Sequence, residues 1–282
     1  MIPDILRGKY YAAAKTTVQR QLDQAFESKR GPGAKPLRES NGSDIKAIIT
    51  PSYSYDVAAP CAAWAYNALA EAGRKDVYII LSQGDALATT EETHVTPYGY
   101  ARVNQALARD LVEKTPIQRN DEVFQDEELI KSQLPLLQYT FRQEHEKLKV
   151  LPIMLDGSVD LKTLAVDLKE VLMDNDVSYH VIVPTNLTKY GSAYGFVPFT
   201  QDRIKQIEEL DAKTLKHISN QDQRGLLDHI SKTLLTTDNY LGIVLAQLLT
   251  KPDSVEVQQY YTTHDFDEDR TRIVSFAAIT MR

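Results

Sequence analysis

Four short runs of branched apolar residues constrain this chain more than any other feature. They are Ile45 to Thr50 (IKAIIT), Val77 to Leu81 (VYIIL), Val150 to Leu155 (VLPIML) and Val177 to Val183 (VSYHVIV). Each is too short for a stable helix and too continuous for a strand with one wet face. Such runs are expected of strands buried on both faces. Helical spacing fills the intervals: Val57 to Ala72, Ala101 to Glu113, residues 127–147 with a kink or split at Pro135, and Leu161 to Met173. A further helix is expected over Ala12 to Glu27, with Val18, Leu22, Ala25 and Phe26 on one face, and several more over Gln201 to Leu249. Val255 to Thr262 and Arg272 to Thr280 read as a closing hairpin around the acidic turn at 265–269. Strand–helix alternation predicts an α/β fold with a mixed, mostly parallel central sheet flanked by helices. The Gly- and Pro-rich stretch from Ser28 to Asp44 reads as an exposed loop, and nothing marks a linker, so residues 1–282 are expected to form a single domain.

Composition narrows the chemistry. One Cys among 282 residues excludes an internal disulfide and a Cys-based zinc site. The longest apolar stretch, Leu241 to Leu249, is interrupted by Gln247 and far short of the ~20 residues a membrane helix needs. MIPDILRGKYY is not a basic-then-apolar leader, so a cytoplasmic location is expected. A net charge of −7 argues against a nucleic-acid partner. No phosphate-binding glycine loop and no nucleophile elbow is present. The His residues at 94, 145, 180, 217, 229 and 264 are scattered beyond ligand spacing. His180 is expected in the core, His217 and His229 on the surface, Cys61 in the core, and His94 is the one His kept as a site candidate.

Sites on open α/β sheets gather at the carboxyl ends of strands. Here these ends carry Pro51-Ser52-Tyr53-Ser54-Tyr55-Asp56, Ser82-Gln83-Gly84-Asp85, Asp156-Gly157, and Pro184 to Gly191. The alternative role for such residues is helix capping.

The order of segments resembles the MEMO family, also known as protein B of the AmmeMemoRadiSam system and related in fold to class III extradiol dioxygenases. AIITPSYSYDVAAPCAAWAY (Ala47 to Tyr66) is similar to the family's opening strand, its Pro-His-Ala-Gly-Tyr loop and its Cys-Ala-Ala helix. Gly8-Lys9-Tyr10-Tyr11 resembles its Gly-Ser-Trp-Tyr start. Val77 to Asp85 looks like the strand before its His-bearing loop, and Thr96-Pro97 like its Thr-Pro. Glu127 to Pro135 is similar to its Glu-His-Ser-x-Glu-x-x-Leu-Pro, and Leu151-Pro152-Ile153-Met154-Leu155 to Ile-Pro-Val-Leu-Val. Pro184 to Gly191 resembles Ser-Ser-Asp-x-x-His-x-Gly, and Ser275-Phe276-Ala277-Ala278 resembles Ser-Tyr-Ala-Ala. The resemblance implies a cleft that holds a metal through His, Asp and Cys. At the matching positions this chain has Ser52, Asp85, Glu127 and Glu128, Gln133, Asn186, Lys189 and Thr236-Thr237. No His or Cys remains there, and an ammonium repels a cation.

These departures imply a MEMO-like protein with no metal and no other cofactor, acting as a non-catalytic binding or scaffold protein for an unnamed protein or small molecule, with no membrane or nucleic-acid partner. Its degenerate cleft is expected to comprise Ser52, Tyr55, Asp85, Glu127, Glu128, Gln133, Asn186, Lys189, Tyr190 and Thr236. Two alternatives stand beside it. One is a metal-independent hydrolase with Ser52 as nucleophile and Lys189 as base. The other is a metal-dependent, dioxygenase-like enzyme using Asp85, Glu127 or Glu128. In the first reading Lys189 is expected to replace the cation and pair with Asp85 or, failing that, with Glu127 or Glu128.

Overall fold

A computed structural model describes residues 1–37, 40–267 and 269–282. Arg38 and Glu39 of the anticipated loop, and Glu268 of the acidic turn, lie outside the described residues. The elements in chain order are α1 (Lys15–Glu27), β1 (Ala47–Thr50), α2 (Tyr55–Ala72), β2 (Val77–Gln83), β3 (Ala88–Thr89), β4 (His94–Thr96), β5 (Gly99–Val103), α3 (Gln105–Lys114), β6 (Gln118–Arg119), α4 (Leu129–Thr140), β7 (Lys149–Leu155), α5 (Leu161–Asp174), β8 (Tyr179–Pro184), β9 (Lys189–Tyr190), α6 (Arg203–Ser219), α7 (Gln223–Thr233), α8 (Tyr240–Thr250), β10 (Val255–Thr262) and β11 (Ile273–Met281).

All four apolar runs are strands at the centre of a mixed sheet, eleven-stranded among the described residues, whose main order is β10-β11-β1-β8-β2-β7-β3-β6. β1, β8, β2 and β7 run parallel to one another. Every residue of β1 is buried, as are all but the first or last residues of β2, β7 and β8. The closing hairpin forms, with β11 antiparallel to β10 on one side and to β1 on the other. The parallel centre points the carboxyl ends of β1, β8 and β2 to one end of the sheet, and that shared direction places the site.

Two helices differ from expectation. The segment over Ala101 to Glu113 is split, because Gly99–Val103 pairs with β4 and β7. The helix starts only at Gln105, where the Asn104 side chain accepts a hydrogen bond from the Leu107 N–H at 3.3 Å. The helix over 127–147 ends at Thr140, and Pro135 does not break it. Its ring removes the backbone donor to Lys131 O, while the next two carbonyls also accept side-chain hydroxyls. The Tyr55 hydroxyl donates to Ser132 O at 2.6 Å and the Tyr66 hydroxyl to Gln133 O at 3.3 Å. His180 and Cys61 lie in the core, His180 bonded to Gly73 O at 3.2 Å. His217 and His229 are half-buried, not surface-exposed, because α6 and α7 pack their rings together with centroids 5.8 Å apart. No described helix is long and apolar enough to cross a membrane.

Candidate functional site

β1 and β8 are parallel neighbours, so the residues after Thr50 and after Pro184 meet. Asn186 fastens the two loops together. Its Oδ1 accepts from Ser52 N at 3.2 Å and its Nδ2 donates to Ser52 O at 2.8 Å, extending the strand pairing through a side chain. The same Nδ2 donates to Asp238 Oδ2 at 2.9 Å, and Asp238 N donates back to Asn186 O at 3.2 Å. A carboxylate at 186 has no N–H to give and would face Asp238 as a like charge. The Lys189 ammonium pairs with the other oxygen of Asp238, and the two side chains keep only 26% and 17% of their surface in solvent. Thr236 Oγ1 accepts from Lys189 N and donates to Lys189 O, both at 2.8 Å, which pins this loop to the one before α8.

The other wall is the start of α4. Ser52 Oγ lies 2.8 Å from Ser132 Oγ, which also donates to Leu129 O at 2.7 Å. Gln133 Nε2 donates to Ser132 Oγ at 2.7 Å and to Pro51 O at 3.2 Å. Tyr55 joins through its bond to Ser132 O. Ser52, Gln133, Asn186, Lys189 and Thr236 are thus brought together, with Tyr55 behind them.

Four other expected cleft residues lie outside this network. Asp85 is exposed in the turn after β2, whose last residue, Gln83, instead accepts from Leu241 N of α8 at 3.1 Å. Glu128 pairs with Lys9 and accepts from the Tyr10 hydroxyl at 2.8 Å. Burial raises its carboxyl, but the bonds from Lys9 and Tyr10 outweigh that and hold it below the usual range. The Glu127 carboxylate accepts from Ile130 N at 2.8 Å as a cap of α4. Glu127 is half-buried as a residue, yet its carboxyl is enclosed by protein, and desolvation pushes it up to about 7. Tyr190 is committed to β9: its ring stacks on Phe199 at 5.2 Å and its hydroxyl donates to Phe199 O. His94 is buried in β4, neither ring nitrogen has a hydrogen-bond partner among the described residues, and burial lowers it to about 3. The expected pairing of Lys189 with Asp85, Glu127 or Glu128 is therefore corrected: its partner is Asp238.

Sequence reasoning stopped one residue short of that partner. Asp238-Asn239 precedes the apolar run of α8, the signature of a helix N-cap. Asn239 does cap, accepting from Gly242 N at 3.1 Å, while its Nδ2 ties the ends of β2 and β8 through Leu81 O and Pro184 O. Asp238 sits one place earlier and is free to face Lys189. Tyr10 was missed as well. Its hydroxyl, which donates to Glu128, is raised by burial, then by that bond, and to a lesser degree by the charge of Asp238.

The residues here do not fit a metal. Two amides, hydroxyls and an ammonium converge, and both oxygens of the carboxylate among them already accept hydrogen bonds. Among the described residues, no group of three or more His, Cys, Asp or Glu is placed to hold an ion.

Fold and site together define a mixed-sheet α/β protein whose strand-end cleft is polar and paired with itself. The Memo-like protein family model matches residues 4–280, so the chain belongs to that family. It is 25% identical to a MEMO1 family protein of Methanopyrus kandleri over 98% of this chain and 96% of that one. Identity to a MEMO1 family protein of Pyrococcus abyssi is 26% over 98% and 97%, and to one of Thermococcus kodakarensis 27% over 86% and 89%.

Proposed function

We infer that this Memo-like chain acts by binding rather than by catalysis, on a cleft that has exchanged a metal for an internal ion pair. The observation that carries this reading is the Asn186–Asp238–Lys189 chain of contacts, in which two donors occupy one carboxylate at the meeting of the β1 and β8 loops. An ammonium supplies the positive charge an ion would otherwise bring, and it leaves no open coordination position. The geometry gives the hydrolase alternative little support. Lys189 donates to Asp238 and not to Ser52, while the Ser52 hydroxyl is buried against Ser132, with no base bonded to it among the described residues. The geometry also gives the dioxygenase-like alternative little support, since among the described residues no group of three or more His, Cys, Asp or Glu is placed to hold an ion and Asp85 is exposed in its own turn.

The test is to incubate the purified protein with ferrous, zinc or cupric ion, dialyse it against a mild chelator, and measure bound metal by elemental analysis. The expected result is well below one ion per chain. Near-stoichiometric metal that is lost in Asp238→Ala would overturn the reading. Labelling of Ser52 by a fluorophosphonate probe would revive the hydrolase.

A further inference from the structure

The outer face of α5 departs from the rule for a surface helix. Its inner face is apolar as expected, with Leu161, Leu164, Leu168, Val171 and Leu172 buried. Val166 and Met173 nevertheless point outward, 65% and 71% exposed, where a solvated helix places charge. They are seven residues apart, which sets them about 10 Å apart along one side of the helix. With Ala165 and with Leu248 of α8 they line an open groove of about 460 Å³. Lys162, Lys169 and Lys251 stand around it, and among the described residues none of the three makes an ion pair. Of the groove's two acidic residues, Asp174 is taken by Lys114 at 2.8 Å and only Glu170 remains. A chain of net charge −7 has gathered unpaired positive charge around its exposed apolar residues.

We propose that the groove between α5 and α8 docks an amphipathic helix of a partner protein, whose apolar edge is flanked by Asp and Glu. Val166 and Met173 receive side chains about two turns apart on that edge, Met173 adapting its shape to the partner. The three lysines meet the acidic flanks and lay their aliphatic stems along the contact. A second copy of the chain fits poorly, because a two-fold contact through this face sets lysines against lysines. A flat lipid surface leaves a concave groove unfilled. The site lies apart from the strand-end cleft and stands whether or not the cleft reading holds.

The test is selection of a displayed library of amphipathic helices, with flanking positions randomised, against the full chain. Enriched peptides are then measured by fluorescence anisotropy. Acidic flanks are expected to dominate. Val166→Ser with Met173→Ser, and separately Lys162→Glu with Lys169→Glu and Lys251→Glu, are each expected to weaken binding by about tenfold or more. The charge variant should instead favour basic flanks, a reversal that loss of folding does not produce. No enrichment, or enriched peptides that bind both variants within about twofold of the parent, would overturn the proposal. So would lysine-dependent binding to phosphatidylserine vesicles without peptide binding, or self-association that the same substitutions abolish.

Discussion

At the carboxyl ends of β1 and β8 the polar side chains answer one another: Asn186 to Ser52, Asp238 to Asn186 and Lys189, Ser132 to Ser52 and Gln133. On the outer face of α5, apart from Asp174 with Lys114, little is answered. Two apolar side chains meet water, and three lysines make no ion pair among the described residues. In α/β proteins the first position is where ligands usually bind and the second is not. The contrast teaches that position in a fold locates only an opportunity. A self-satisfied network has little left to offer a ligand, whereas a surface with unmatched apolar area and charge has free energy still to gain by being covered.

The contrast is broken most severely at Asp211. This α6 carboxylate is almost fully buried and accepts from Thr188 N at 3.1 Å, Thr188 Oγ1 at 2.7 Å and the Tyr260 hydroxyl at 2.8 Å, holding the loop that presents Lys189. Asp211→Ala orphans three donors and is expected to cost about 3–5 kcal/mol in urea unfolding. A loss under about 1 kcal/mol would mean the cleft is not anchored from α6.

Glu127 is where the self-pairing is weakest: its carboxyl is enclosed and, among the described residues, makes no ion pair, so the nearby Lys131 charge offsets its burial only in part. It titrates near 7 in the folded chain against an ordinary 4.5. The folded state therefore holds this proton more tightly than the unfolded chain does. The associated stability is complete below about pH 4.5, declines as pH rises and is gone above about pH 7. Glu127→Gln should stabilise the protein by about 2–3 kcal/mol at pH 8 and by almost nothing at pH 4. Parallel pH–stability profiles for the two proteins would refute this.

Asp238→Ala leaves the Lys189 ammonium half-enclosed, and Lys189→Ala leaves Asp238 with Asn186 alone. A fully buried pair would lose about 3–5 kcal/mol on either change, but partial exposure lowers the expectation to about 1–2 kcal/mol each. A double-mutant cycle should return a coupling of about 0.5–1 kcal/mol. Additive losses would mean the two charges do not see each other in solution. The smallest effect belongs to the other region. Val166→Ser with Met173→Ser should shift stability by no more than about 0.5 kcal/mol, because both side chains are already in water. A larger loss would show that the face packs in solution and is not free.

The four central strands were legible because continuous apolar β-branched runs leave few alternatives to burial on both faces. The α3 boundary was not. Residues 101–103 carry apolar spacing compatible with either element, and pairing with β7 decides it. Pro135 misled in the same way, since the helix that carries it is held from outside, by contacts such as those of the Tyr55 and Tyr66 hydroxyls with Ser132 O and Gln133 O, far away in sequence. At the site, Ser52, Asn186, Lys189 and Thr236 were legible from strand ends and resemblance. Asp238 was not, because its spacing from Lys189 belongs to no local pattern.

By itself the sequence determined which segments are buried, that the sheet is mostly parallel at its centre, and that the strand-end loops carry amides, hydroxyls and an ammonium where a metal centre needs imidazole and thiolate. Hydrophobic periodicity and side-chain chemistry are local properties, written residue by residue. Which carboxylate faces Lys189, and which helix face stays uncovered, were decided only by tertiary structure. Both depend on how α8 sits: its N-terminal loop carries Asp238 to the ends of β1 and β8, and its flank makes the second wall of the α5 groove. That placement follows from packing the whole chain against one sheet, and a one-dimensional pattern does not contain it.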